Sequence, residues 1–363
     1  MKKNQLLKIV SMIAAGLAVT AAGALLFRAP LVRMFTGIVV RSTMASRNAV
    51  LSDGLHAGLC GTGSPMPDMN RAGPSIAVVA GSHLYIVDAG SGSARNVRLM
   101  NFTIGKIDAI LLTHFHSDHI SDLGELELQR WADNSNTSPV DVIGPAGVET
   151  VVEGFNLAYS LDDGYRVAHH GEETMPPSGA GGVARAFSLS SEGDASTVVV
   201  DSDGVKITAF KVDHRPVEPA VGYRFDYKGR SLVISGDTVY SDSLVKHAQG
   251  ADVLFCEALS APMVAAINTN AGLSTSPSTA KITSDIPSYH STPEDAARMA
   301  AQAGVGHLVY YHIIPPLPSK LVKRLFLGKA RDYFDKRITM GEDGMLVSLG
   351  AGSDAVEIRR LFK

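Results

Sequence analysis

Leu111-Leu112-Thr113-His114-Phe115-His116-Ser117-Asp118-His119-Ile120 sets three imidazoles and a carboxylate directly after the apolar run Ile107-Asp108-Ala109-Ile110-Leu111-Leu112. On an extended segment running into a turn, His114 and His116 share one face by the two-residue strand period, while Asp118 and His119 reach from the turn toward a neighbouring point. Two ligand pairs imply two metal ions. Imidazole and carboxylate donors suit zinc, with Mn2+ or Fe2+ able to replace it where oxygen ligands are numerous. One or two histidines at a loop are ordinarily surface residues, but this density of ligand types after a strand points to a cation.

The His-x-His-x-Asp-His pattern resembles the signature of the metallo-β-lactamase superfamily. Working downstream, the alternating strand Val205–Asp213 delivers His214, followed by Ala220-Val221-Gly222-Tyr223-Arg224-Phe225. That His-x7-Gly-Tyr-Arg arrangement is similar to the third motif of the ribonuclease Z and arylsulfatase-like branch. Ser231–Thr238 ends in Gly236-Asp237-Thr238, Asp252–Glu257 ends in Glu257, Tyr289-His290-Ser291-Thr292 precedes a helix, and His307–His312 ends in His312. The resemblance covers about residues 55 to 350. It implies an α+β fold, a four-layer αββα sandwich, with His114, His116 and His214 on one zinc and Asp118, His119 and His312 on the other. Asp237 would bridge the two ions, Asp88 would brace the metal loop from the outer shell, and His290, oriented by Glu257, would protonate the leaving oxygen. Asp118 would orient a metal-bound hydroxide and accept its proton.

The 363 residues suffice for one large or two ordinary domains, and 45% hydrophobic content suffices for a core. A net charge of −3 exerts no global pull toward nucleic acid. Cys60 and Cys256 lie in apolar strand-like runs and read as buried free thiols, which excludes a disulfide scaffold. Met1-Lys2-Lys3 leads into Ile9–Phe27, about nineteen residues without a charge, long enough to cross a bilayer as a helix. The expectation is a signal anchor and juxtamembrane linker over 1–50, or a cleaved signal peptide giving a secreted enzyme, before a catalytic domain over 51–363. The enzyme would then be membrane-anchored and face the extracytoplasmic side.

Between the motifs, Leu59–Pro65 reads as a strand ending in a Gly-rich turn, and Ser75–Val79 with His83–Asp88 as a hairpin. Helical spacing covers Asp122–Trp131 and Gly147 to about Tyr159. From Leu161 to Val205 the pattern dissolves into Gly, Ser, Pro and charge, which suggests a solvated insertion or a substrate lid bearing Arg166, His169 and His170. The arm with which some bacterial relatives hold transfer RNA should stand between the Gly-Tyr-Arg and Gly-Asp-Thr strands, where this chain has only Asp226–Arg230. The basic stretch Lys320–Arg337 reads as a solvated amphipathic helix face in preference to a phosphate contact. The expected reaction is hydrolysis of a small sulfate or phosphate ester. Ribonuclease Z-like 3′ processing of transfer RNA is the alternative, followed by lactone or carboxylic ester hydrolysis, and a membrane-tethered binding module is the non-enzymatic one. Nucleic acid is disfavoured as a partner, and a homodimer is compatible with the branch.

Overall fold

The computed structural model describes residues 51–189, 195–271 and 277–362, together with Pro30 and residues 32–36. In chain order the strands of the main body are β1 (Gly54–Gly61), β2 (Ser75–Ala80), β3 (His83–Val87), β4 (Ile107–Leu111), β5 (Val140–Pro145), β6 (Gly182–Phe187), β7 (Ser196–Ser202) and β8 (Val205–Lys211). They continue as β9 (Val221–Tyr227), β10 (Arg230–Ile234), β11 (Val253–Leu259), β12 (His307–Ile314), β13 (Arg337–Met340), β14 (Met345–Gly350) and β15 (Glu357–Arg360). One sheet runs β15-β14-β1-β2-β3-β4-β5-β6 and the other β13-β12-β11-β10-β9-β8-β7. The β3-β4-β5-β6 and β10-β11-β12-β13 neighbours pair parallel and the remainder antiparallel.

Strand alternation explains the layers. In β1, Leu55, Ala57 and Leu59 face the inter-sheet core with Tyr223, Phe225 and Phe255 of the opposite sheet. Cys60 instead joins an outer cluster with Leu123 and Leu126 of the helix Leu123–Asn134. On the far side, Cys256 packs under Ala296, Ala297 and Ala300 of the helix Pro293–Gln302. Each sheet therefore buries both faces, one against the other sheet and one under helices, as the resemblance implied. Both cysteines are free and buried.

The parallel strands all end at one edge of the sandwich. The segments that follow β4, β8 and β10, and the last residues of β11 and β12, therefore converge there.

Two expectations change, and a third falls outside the described residues. The helix after β5 spans Val148–His170 rather than stopping near Tyr159, so Arg166, His169 and His170 stand on its last two turns and not on an irregular lid. Leu157, Leu161 and Tyr165 face solvent at 75%, 69% and 67% exposure, which removed the apolar-to-polar contrast that would have signalled a helix. Arg166 is engaged by Asp162 one turn earlier, at 2.6 Å. Lys320–Arg337 is not one helix face but two short helices, Lys320–Phe326 and Ala330–Tyr333, with Lys336 donating to the Gly304 and Val305 carbonyls. The apolar helix expected over Ile9–Phe27 falls outside the described residues, and among the described residues no helix is long and apolar enough to cross a membrane.

Glu127 is an unusual member of the core. Its side chain is 2% exposed between the helix Leu123–Asn134 and β6, and a Cβ placed on Gly182 would come within 2.4 Å of its Oε1. That oxygen has no hydrogen-bond partner, and burial, with Asp163 adding repulsion, pushes the carboxyl up to about 8. The unfolded chain releases this proton in the ordinary carboxylate range while the folded chain retains it to about pH 8. Stability therefore falls as pH rises through that window. Glu127→Gln should abolish this slope, gaining on the order of 3 kcal/mol at pH 8 and little at pH 4.5. Urea denaturation of both proteins at the two pH values checks it, and parallel pH dependence would contradict it.

Candidate metal centre

Asp88 begins the site. It directly follows β3 in the left-handed backbone region, φ 59°, and its amide donates to Leu111 O across to β4. Its carboxylate receives the Thr113 amide at 2.8 Å and the Thr113 hydroxyl at 2.9 Å, and lies 2.9 Å from His119 Nδ1. One buried carboxylate thus fixes both ends of the ligand turn. Gly90 permits the closeness of these segments, because a Cβ there would fall 2.5 Å from Asp118 O. Gly236, at φ 62° and wedged against Thr113, does the same for the turn that carries Asp237.

Donor atoms of two sets converge. His114 Nε2 lies 3.0 Å from His116 Nδ1, which lies 3.4 Å from His214 Nε2. Asp118 Oδ2 lies 3.3 Å from His312 Nε2 and 3.6 Å from His119 Nε2. Asp237 Oδ2 stands between the sets, 3.8 Å from His114 and His214, 3.4 Å from His119 and 3.3 Å from His312. His114, His116, His214 and Asp237 could hold one ion, and Asp118, His119 and His312 another, since the donor atoms within each set lie within 4.8 Å of one another. Asp237, His290 and His312 form a further overlapping set.

The electrostatics fit cations. Burial holds His114 well below its ordinary value, lowers His116, and brings His214 down to about 4, so these rings present lone pairs rather than protons. His119 runs the other way. Burial opposes its charge, but Asp237, Asp118 and Asp88 overcome burial and hold it well above the ordinary value. Burial would likewise raise Asp237, yet the imidazoles of His312, His119 and His114 hold it well below the carboxylate range. His119 Nε2 and Asp237 Oδ1 are buried without hydrogen-bond partners, as metal-directed atoms would be. A nitrogen and oxygen donor set of this kind suits zinc, manganese or iron.

His290 flanks this cluster, with Nδ1 3.0 Å from Glu257 Oε1 and 3.9 Å from Asp237 Oδ2. Glu257 Oε1 also accepts the Thr238 and Ser291 amides, at 3.0 and 3.1 Å. Burial, reinforced by Asp237, holds the Glu257 carboxyl well above its ordinary range. All the residues singled out for the metals, for Asp88 and for the His290–Glu257 pair are thus brought together. Arg166, His169 and His170 stand instead on the Val148–His170 helix, where Arg166 pairs with Asp162 and the His169 and His170 rings meet edge to face.

Several supports escaped the sequence. Tyr289 O lies 2.8 Å from His214 Nδ1 and orients that ring, while the Tyr223 hydroxyl donates to Leu112 O at 2.7 Å behind the ligand turn. Asp343, buried far along the chain, accepts the Thr62 amide and hydroxyl, the Ala72 amide and the Asn96 side chain. Thr62 in turn accepts the Ile313 amide beside His312. Only Tyr223 carried a signal, as part of Gly-Tyr-Arg.

A two-sheet sandwich with this cluster at its edge defines a metal-site hydrolase of the metallo-β-lactamase type. Residues 83–313, more than half of the chain, match the beta-lactamase superfamily domain, and the chain belongs to that superfamily. Its relatives include the ribonuclease Z of Mycolicibacterium gilvum (strain PYR-GCK), 38% identical over 288 residues, 78% of this chain and 93% of the relative. That of Mycobacterium avium (strain 104) is 38% identical over 297 residues, 81% of this chain and 98% of the relative. Among solved structures, human tRNase Z, short form, superposes with a TM-score of 0.55 at 22% identity, covering 81% of this chain and 98% of that one. The Bacillus subtilis metallo-β-lactamase fold protein YhfI gives 0.57 at 19% identity over 82% and 100%. These last two share the fold.

The comparisons overturn the expected location. Relatives aligned over nearly their whole length are named as ribonucleases, which does not accord with a membrane-anchored enzyme facing the extracytoplasmic side, and that expectation is withdrawn with its membrane partner. The run Ile9–Phe27 was hydrophobic enough to suggest an anchor, but hydropathy alone does not establish one.

Proposed function

We propose that this chain is a metal-dependent phosphodiesterase of the ribonuclease Z kind, cleaving RNA precursors such as those of transfer RNA at the 3′ side. The observation that carries it is 38% identity over 93–98% of the length of relatives bearing that name, with the donor set complete. This displaces the small sulfate or phosphate ester inferred first. That inference leaned on the short connection after Tyr227, and β9 and β10 are indeed joined by Lys228-Gly229 alone. Contacts to RNA must then come from elsewhere on the edge that bears the centre.

The catalytic part is residues 51–363. His114, His116 and His214 would hold one ion, Asp118, His119 and His312 a second, with Asp237 facing both. Zinc there would supply a nucleophile from water at neutral pH and positive charge for the phosphoryl oxygens. The protein's own groups do the rest. Asp118, the most accessible carboxylate of the cluster, orients the attacking water and takes its proton. Asp88 keeps the His119 ring fixed through Nδ1. His290, held through Nδ1 by Glu257, presents Nε2 to the leaving ribose oxygen and hands it a proton.

The test is a panel on the full chain: precursor transfer RNA, bis-nitrophenyl phosphate, nitrophenyl sulfate and an acyl lactone, with His116→Ala as control. Efficient 3′ cleavage of the precursor, lost in His116→Ala, is expected. Rapid turnover of a small ester with the RNA left intact would reverse the assignment, and RNA binding without turnover of any substrate would favour a binding module.

A further inference from the structure

A concavity opens at the sandwich edge that bears the metal centre. It is a cavity of about 260 Å3 between the ends of β5 and β6 and the turn from β8 to β9. Pro145, Ala146, Phe187, Leu189, Pro219 and Ala220 give it mainly apolar walls, and Lys211 and Glu218, 3.7 Å apart, are its charged pair. No residue of the metal centre lines it, so that centre does not explain it.

Three ties place it beside the reacting groups. His214 belongs to the same turn as Glu218, Pro219 and Ala220. The amide of Val221, a further wall residue, donates to Thr113 O at 3.0 Å, one residue before His114. Phe115, between His114 and His116, packs on Gly147, where a Cβ would come within 3.1 Å of its ring, one residue after Ala146.

The lining selects the ligand. A phosphate would meet apolar walls and a lysine already facing a carboxylate, whereas a planar ring would find mainly apolar walls with Phe187 among them. Single-stranded RNA offers such rings as unstacked bases, which proteins hold chiefly by stacking. We propose that the cavity receives the base of a nucleotide flanking the scissile phosphate. This rests on the RNA reading above and adds the element that positions the strand, in place of the arm the β9–β10 turn lacks.

The experiment compares the full chain with Ala146→Trp, which fills the cavity from an exposed wall position outside the metal centre. Substrates are a precursor RNA with all bases and versions made abasic at each nucleotide flanking the cleaved bond. The native chain should prefer the intact RNA over one abasic form by about tenfold in kcat/KM, mainly through KM, a size in line with one stacked base. Ala146→Trp should erase the preference while leaving hydrolysis of methyl nitrophenyl phosphate unchanged. Leu189→Ser, which leaves the cavity open but thins a wall, should weaken the preference without erasing it.

Equal rates on intact and abasic RNA, or a preference that survives Ala146→Trp, would overturn the inference while leaving the ribonuclease reading intact. Should the native chain cut no RNA, that reading falls, and the cavity is judged by bis-nitrophenyl against methyl nitrophenyl phosphate. A preference for the extra ring, lost in Ala146→Trp, keeps a ring site without RNA. Equal rates, or no turnover of either ester, overturn it.

Discussion

Asp237→Asn is expected to lower kcat/KM on precursor RNA by about 10^3-fold or more and to reduce bound metal from about two equivalents toward one. The carboxylate is 2% exposed, and its Oδ2 faces His114, His119, His214, His290 and His312 at 3.3 to 3.9 Å. It is therefore the one anion common to both candidate ion sites. Asparagine preserves its volume, so the fold should survive. It replaces a shared negative charge with a neutral amide, however, and turns either an N–H2 or a weaker carbonyl acceptor toward the ions. Metal analysis of the purified chain alongside RNA kinetics checks this. A variant that keeps both its metal content and its rate would remove Asp237 from the centre.

His290→Ala should cost about 10^2- to 10^4-fold on RNA, whose leaving ribose oxygen needs a proton, and far less on nitrophenyl esters, whose anion departs unaided. The Glu257 contact at Nδ1 leaves Nε2 as the group available to substrate. Glu257→Gln should show the same leaving-group dependence with a smaller loss, about 10- to 100-fold, because it disturbs only the orientation of the ring. The ratio of rates on the two substrate classes is the readout. An equal loss on both would assign His290 to integrity of the cluster instead, a role its 3.9 Å approach to Asp237 could also support.

The candidate ligands were legible as a cluster because metal chemistry restricts residue type and because four of them lie within His114–His119. The layers came from the resemblance rather than from alternation, since the first strand was read over Leu59–Pro65 whereas β1 spans Gly54–Gly61. What could not be read was pairing at a distance. His214 meets the Tyr289 carbonyl 75 residues away, Tyr223 meets Leu112 across 111, and Thr62 meets Asp343 across 281. None of these partners differs in type from an ordinary loop or core residue. The second half of the Val148–His170 helix was missed because its outer face is apolar, and the preference for a small ester leaned on a missing loop, which says nothing about the remaining surface.

His312 interrupts the ladder between β11 and β12, where Glu257 pairs with Tyr311 and Ala258 with Ile313, so that it is the unpaired residue of a bulge, at φ 44°. Asp88 holds a similar backbone conformation. Aspartate and histidine enter this region more readily than most residues, yet each such position costs on the order of 1 kcal/mol that glycine would not. His312→Gly should therefore relax the backbone while removing one donor from the cluster, whereas Asp88→Gly would also cut the bonds that hold Thr113 and His119 in place. Position 312 thus separates foldability from donor supply: the His312→Gly chain should keep or gain thermal stability while binding less metal, and calorimetry with metal analysis reads the two together.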